Sequence, residues 1–321
     1  MTSDNTFLHH AGVKHPIICG PMYPCSNPEL VSAVSEAGAL GIIQPLSLTY
    51  VYGYTFHDGL RYIQSLTSKP VGMNLLIESS SRKYRVTMEN WMNQALDSGV
   101  RFFITSMGKP DWVTRLAHNA GAYVYHDVTE HHWAEKALDV GVDGLIAVNS
   151  KAGGHAGGLG REELAKALAN YNIPIVCAGG ISTRKDYLDA IELGYNAVQM
   201  GTRFIATEEC AAGNEYKNAI VLANASKIVM TERLTGVPVS VINNTMVQKE
   251  GLTPNFFEKL LLQNRQLKHL ARTLLAMKSL RALKQSLHVE KSSRDYWQAG
   301  KSVDGIESIL SVDSIIQEMT K

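Results

Sequence analysis

The sequence predicts an α/β protein, a (β/α)8 TIM barrel with an added C-terminal, mostly helical subdomain. Three observations predict it. A helical stretch, a glycine and a β-rich apolar run recur in that order along the chain. The runs are apolar on both faces, as strands of a buried parallel sheet are. Eight of them fall before residue 205, in strict alternation with helical patterns, which suits a closed barrel better than an open sheet. A doubly wound sheet would carry a glycine fingerprint after its first strand, and Gly20-Pro21-Met22 is no such fingerprint.

The first strand is Ile17-Ile18-Cys19. Asn27-Pro28 then offers a helix cap with proline at the first helical position, and Leu30, Val34 and Ala37 keep one apolar face. Gly38 closes that helix before Leu40-Gly41-Ile42-Ile43; Gly99, Gly121, Gly141 and Gly194 do the same before Phe102-Phe103-Ile104, Tyr123-Val124-Tyr125, Leu145-Ile146-Ala147-Val148 and Ala197-Val198-Gln199-Met200. Each is expected in the left-handed conformation after a helix end. Val71-Gly72-Met73 and Ile173-Pro174-Ile175-Val176-Cys177 complete the set. Asp58, Asp111 and Thr129 are expected to cap the second, fourth and fifth helices. Tyr50, Tyr52, Tyr54, Phe56 and His57 crowd the loop after the second strand, either as a wall over a small apolar substrate or as packing under a long loop.

Beyond residue 205 the pattern changes. Residues 213–223 read as a helix, 226–250 as mixed structure with a turn at Thr235-Gly236-Val237-Pro238, and 255–288 as a long leucine-rich helical stretch with interspersed basic residues. The expected division is a barrel over 1–212, a helical subdomain capping it over 213–296 and a closing segment returning to it over 297–321.

Composition narrows the function. Lys and Arg number 31 against 30 Asp and Glu, so no net field draws nucleic acid or a membrane surface. No apolar run is long enough to span a bilayer and no signal-peptide layout opens the chain, which predicts a cytoplasmic protein. The four cysteines form no CxxC pair and no metal-ligand spacing, so neither a metal nor a disulfide framework is expected.

In barrel enzymes the chemistry sits at the C-terminal ends of the strands. Here those ends read Gly20-Pro21-Met22, Gln44, Asn74, Thr105-Ser106, His126-Asp127, Asn149-Ser150-Lys151, Gly179-Gly180 and Gly201-Thr202: small, polar or glycine after apolar runs. Glycine-rich turns after the seventh and eighth strands, Ala178-Gly179-Gly180 and Gln199-Met200-Gly201-Thr202, suit a phosphate held by main-chain N–H groups. Before both in sequence, after the sixth strand, lies Lys151-Ala152-Gly153-Gly154-His155, a ligand-hugging glycine loop around one imidazole, the side chain that most readily exchanges a proton near neutral pH. A plain glycine turn with a solvated histidine is the alternative. His126 sits where it can touch a ligand ring; His131-His132 and the terminal His9-His10 read as solvated and frayed.

On these motifs the chain resembles the nitronate monooxygenase family, formerly the 2-nitropropane dioxygenases, from His15 to the C-terminus. The resemblance implies a barrel that binds FMN. It places Gly20, Pro21, Met22, Asn74, Asp127, Lys151, Gly153, Gly154, Ala178, Gly179, Gly180, Gln199, Met200, Gly201 and Thr202 around the cofactor, with His155 as the catalytic histidine. Trp297-Gln298-Ala299-Gly300-Lys301 resembles the family's closing segment, with Lys301 where glutamine is common. Many relatives carry a lysine near the flavin where Asp127 stands.

The activity so implied is oxidation of alkyl nitronates or nitroalkanes by molecular oxygen, with His155 as acid or base; a homodimer is compatible with it. Two alternatives stay open. One is an NAD(P)H-dependent flavin reductase of a quinone or enoyl thioester. The other is an FMN-binding protein without catalysis.

Overall fold

The computed structural model describes residues 5–77, 82–233, 237–253, 284 and 296–321. Eight parallel strands close into a barrel in sequence order: β1 Ile17–Cys19, β2 Leu40–Ile43, β3 Val71–Leu76, β4 Phe102–Ser106, β5 Tyr123–Val128, β6 Gly144–Val148, β7 Ile175–Ala178 and β8 Ala197–Met200. The seam is β8 on β1, with Ile17 opposite Val198 and Cys19 opposite Met200. All eight expected strands are present. Gly38, Gly99, Gly121, Gly141 and Gly194 all take positive φ between helix and strand.

Alternation along each strand divides the core in two. Ile18, Leu40, Ile42, Phe102, Ile104, Tyr125, Ile146, Val176, Ala178 and Ala197 fill the barrel interior, while their neighbours Ile17, Ile43, Phe103, Val124, Leu145, Cys177 and Val198 face the helix layer. Below the interior lies an element the sequence reading missed. Helix α1, Thr6–Ala11, closes the N-terminal end of the barrel, with Asn5 as its cap and Gly12 in the left-handed conformation after it. Phe7 is fully buried and meets Phe102 and Tyr125 edge-on, with ring centroids 5.9 and 6.0 Å away. His9 and His10 are therefore not in a frayed terminus: His10 stacks on Tyr123 at 3.9 Å and its Nδ1 lies 3.1 Å from the Tyr125 hydroxyl.

The outer helices are α2 Pro28–Glu36, α3 Phe56–Leu66, α4 Arg82–Asp97, α5 Asp111–Asn119, α6 His131–Leu138, α7 Arg161–Leu168 and α8 Arg184–Glu192. Their caps differ from expectation at three positions. Thr55, not Asp58, caps α3, and Asp58 sits in the first turn with its N–H on the Thr55 hydroxyl. Asp111 is the first residue of α5, behind Pro110, and Glu130 rather than Thr129 precedes α6. An acidic side chain inside the first turn favours the helix N-terminus through charge, so Asp58 and Asp111 still support their helices from within. Asn27 stands at the expected cap position of α2 but spends its amide on Glu29 and on the Glu209 carbonyl. The aromatic cluster after β2 is mostly packing: residues Ser47–Val51 form a π-helical turn, the Tyr52 hydroxyl donates to the Pro24 carbonyl, Tyr54 stacks on Tyr62 and Phe56 on Trp91.

After β8 come a short α9, Thr202–Ile205, and α10, Asn214–Leu222, matching the expected helix at 213–223. Residues 226–250 hold an antiparallel pair, β9 Ile228–Thr231 with β10 Val239–Ile242, and α11 Thr245–Glu250. The expected turn at 235–238 lies partly, and the long helical stretch at 255–288 almost wholly, outside the described residues. The closing segment runs back along the barrel mouth and ends in α12, Val312–Thr320, packed between α2 and α8. Among the described residues no helix is long and apolar enough to cross a membrane. All four cysteines are buried and unbridged.

Phe7→Ala removes a ring fully enclosed by other rings, and is expected to cost about 3–5 kcal/mol of stability. Denaturant unfolding followed by near-ultraviolet dichroism measures it; an unchanged midpoint would show that the barrel end does not depend on α1.

Candidate functional site

The interior alternation that builds the core also builds the floor of the barrel mouth. One step beyond Ile18, Gly72, Tyr125, Ile146, Val176 and Ala197 stand Gly20, Asn74, Asp127, Val148, Ala178 and Gln199. The core is apolar up to this layer and polar at it. Asn74 donates to the Ile104 carbonyl at 3.3 Å. Gly20 leaves room for its neighbour, since a Cβ there would lie 3.0 Å from Gln199 Cγ. Asp127 Oδ1 and Gln199 Oε1 are buried without a hydrogen-bond partner. Burial pushes the Asp127 carboxyl up to about 7. His126, on the opposite face of β5, turns to the helix layer, where its Nδ1 lies 2.8 Å from Thr105 Oγ1. Burial brings it down to about 4, and it is no part of the floor.

The histidine loop rises from the end of β6 and is braced from three sides. Asn149 accepts from the Lys151 N–H at 2.8 Å and donates to the Gly179 carbonyl at 2.9 Å, tying the loops after β6 and β7. Gly154, at φ +69°, accepts at its carbonyl from the Ser240 N–H of β10 at 2.8 Å. The Lys151 carbonyl accepts from the Lys301 N–H at 2.9 Å, and Gly300 N–H donates to Thr202 Oγ1 at 2.9 Å. The approach is backbone on backbone: a Cβ at Gly300 would stand 2.5 Å from the Lys151 carbonyl oxygen and 2.6 Å from the Gly153 nitrogen. His155 sits exposed on this loop, yet enough protein surrounds it that desolvation lowers its basicity.

Beside the loop lies a cradle. Gly179 and Gly180 take φ of +113° and +72°. A Cβ on Gly179 would come within 2.5 Å of Asn149 Oδ1 and 2.7 Å of the Ala152 nitrogen, and one on Gly180 within 2.8 Å of Lys151 Cδ. The Lys151 side chain therefore runs along the glycine turn and brings a cation to it. Across the seam, Met22 and Gly201 approach so closely that a Cβ on Gly201 would lie 3.4 Å from the Met22 sulfur. Pro21 lies between Gly20 and Met22, whose N–H donates to Ser26 Oγ at 2.9 Å. Met200 packs its side chain into the helix layer, and its carbonyl accepts from Gly20 N–H, so only its main chain reaches the mouth.

These atoms fit the flavin expected from the sequence. A flat ring with a polar edge answers the two orphaned oxygens of the floor, and a phosphate tail answers the glycine cradle and Lys151. One contributor to the site was not legible: Ser240 reads as an ordinary alternating residue of a short strand. Thr202 and Asn149 were expected at the mouth, but not that Thr202 would act through Gly300 or that Asn149 would tie two loops together.

Comparison with known proteins agrees with this geometry. The family model for nitronate monooxygenase matches residues 5–321. A probable nitronate monooxygenase of Staphylococcus saprophyticus is 29% identical over 279 residues, covering 74% of this chain and 78% of that protein. A 5-hydroxy-7a-methyl-1-oxo-octahydro-1H-indene-4-carboxyl-CoA dehydrogenase of Rhodococcus jostii is 25% identical over 288 residues, 89% of this chain and 78% of that one. Among solved structures, FabK from Thermotoga maritima superposes with a TM-score of 0.81 at 25% identity, covering 99% of this chain and 95% of that chain.

Gly300→Ala is expected to push the closing segment off the histidine loop at a cost of about 1–3 kcal/mol. Hydrogen exchange reads this as faster exchange at residues 150–155 and 240; unchanged protection there would show that the two segments do not brace each other.

Proposed function

Since the chain belongs to the nitronate monooxygenase family and is a flavin-dependent oxidoreductase, we propose that it binds FMN and oxidises alkyl nitronates or nitroalkanes with molecular oxygen, His155 serving as acid and base. The observation that carries this reading is an imidazole on a braced loop beside a floor with two unanswered polar atoms.

The roles follow from position. Main-chain groups of Gly179, Gly180, Gly201 and Thr202, with the Lys151 cation, would hold the phosphate, as glycine turns before helices do. Asn74, Gln199 and Asp127 would meet the polar edge of the ring, and Gly20, Pro21, Met22, Gly153, Gly154 and Ala178 leave it space. Bound flavin supplies the electron acceptance and the reaction with oxygen. Desolvation disfavours the charged form of His155 and so favours the neutral imidazole. A neutral imidazole can take the proton from the carbon bearing a nitro group and return it to an oxygen.

A second reading keeps the same site and changes the substrate. The Rhodococcus relative named as a carboxyl-CoA dehydrogenase favours it. A carbon next to a thioester carbonyl is also an acid that a neutral imidazole can deprotonate. Anaerobic mixing with a nitronate, an acyl-CoA and NADH in turn separates these donors by which one bleaches the flavin.

His155→Ala is expected to keep its flavin and lose about 10²–10⁴-fold in nitroalkane turnover. In the unsubstituted protein kcat/KM should fall on the acid side with a midpoint below about pH 6.5, the ordinary imidazole value, since the base must be neutral. Oxygen consumption measures both; full turnover in the variant removes His155 from the reaction.

A further inference from the structure

Asp127 is an unusual residue for its place. It occupies an interior position at the top of β5, two residues above Tyr125, and its Oδ1 is buried with no partner. The flanking strands offer it no charge: β4 presents Ile104 and Ser106 on interior positions and β6 presents Ile146 and Val148. On its own strand His126 faces away, toward Thr105. Among the described residues, the segments above carry Lys151, His155 and Lys301, and burial is the cause that raises the Asp127 carboxyl. Asp127 as a residue is part-buried, but an ionised carboxylate there would hold a buried oxygen with no donor and, among the described residues, no counter-charge, a state that protonation relieves. A protonated carboxyl has instead a hydrogen-bond donor to offer.

We propose that Asp127 acts as a neutral carboxylic acid on the barrel floor and donates a hydrogen bond to the polar edge of the bound flavin ring, so that flavin capture requires this side chain to hold its proton. The proposal rests on the flavin reading above. It makes Asp127 a donor like the lysine of many relatives, without the lysine's charge. Gln199 Oε1, the other orphaned atom of the floor, accepts only, so the two differ in what they can answer.

The test is FMN titration of the apoprotein from about pH 6 to about pH 9, comparing the unsubstituted protein with Asp127→Asn, which has the same shape and a donor that does not titrate. The ratio of the two dissociation constants should climb toward tenfold per pH unit above neutrality, with the unsubstituted protein weakening and the Asn variant holding its affinity. Infrared spectra of the apoprotein at neutral pH should show a protonated carboxyl stretch that the Asn variant lacks. Parallel affinity profiles, or no such stretch, overturn the role of Asp127 while leaving the flavin in place. If neither protein takes up FMN at any pH, the flavin reading falls and this proposal with it.

Discussion

The close meeting of two backbones at Gly300 is the constraint on which the site depends. Gly300 lies where any Cβ would strike the Lys151 carbonyl and the Gly153 nitrogen, so the closing segment can seat against the histidine loop only as glycine. From that contact follow the Thr202 hydroxyl under Gly300, the Lys301 bond to Lys151 and the Ser240 bond to Gly154. A five-residue stretch with two consecutive glycines would otherwise sample many conformations. Held by chain from β10 and from the C-terminal segment, the stretch that carries His155 has its backbone fixed.

The floor beneath shows the opposite economy. The packing below it is aliphatic or aromatic, and α1 seals the bottom with Phe7. Stability therefore comes from the lower barrel, and the upper layer is free to carry polar atoms that packing does not satisfy. Leaving Asp127 Oδ1 and Gln199 Oε1 without partners costs folding free energy. A ligand that answers them recovers part of that cost on binding, which is why orphaned polar atoms in a mouth indicate recognition.

Much of this was legible in the sequence. The eight strands were visible because each is short and apolar on both faces, and five of them are preceded by a glycine that a left-handed turn requires; Gly38, Gly99, Gly121, Gly141 and Gly194 all bear this out. The mouth was legible because polar residues at strand ends stand out against apolar runs. Helix starts were harder, since Asp58 and Asp111 favour a first turn as well as a cap and sequence alone does not separate the two. Helix α1 was missed because six residues with two histidines carry little periodicity, and its burial is set by Tyr125 and Phe102 from distant strands. The contacts of Ser240 and Gly300 with the loop join residues far apart in the chain, and no local pattern encodes them.

The central claim is that a flavin seated on this floor receives electrons from a nitronate beside His155. The most direct measurement is the visible spectrum of the FMN-loaded protein when a primary nitronate is added without oxygen. The account predicts loss of the flavin band and its return on admitting air. A band that persists under excess nitronate, in a protein that holds FMN, would contradict it.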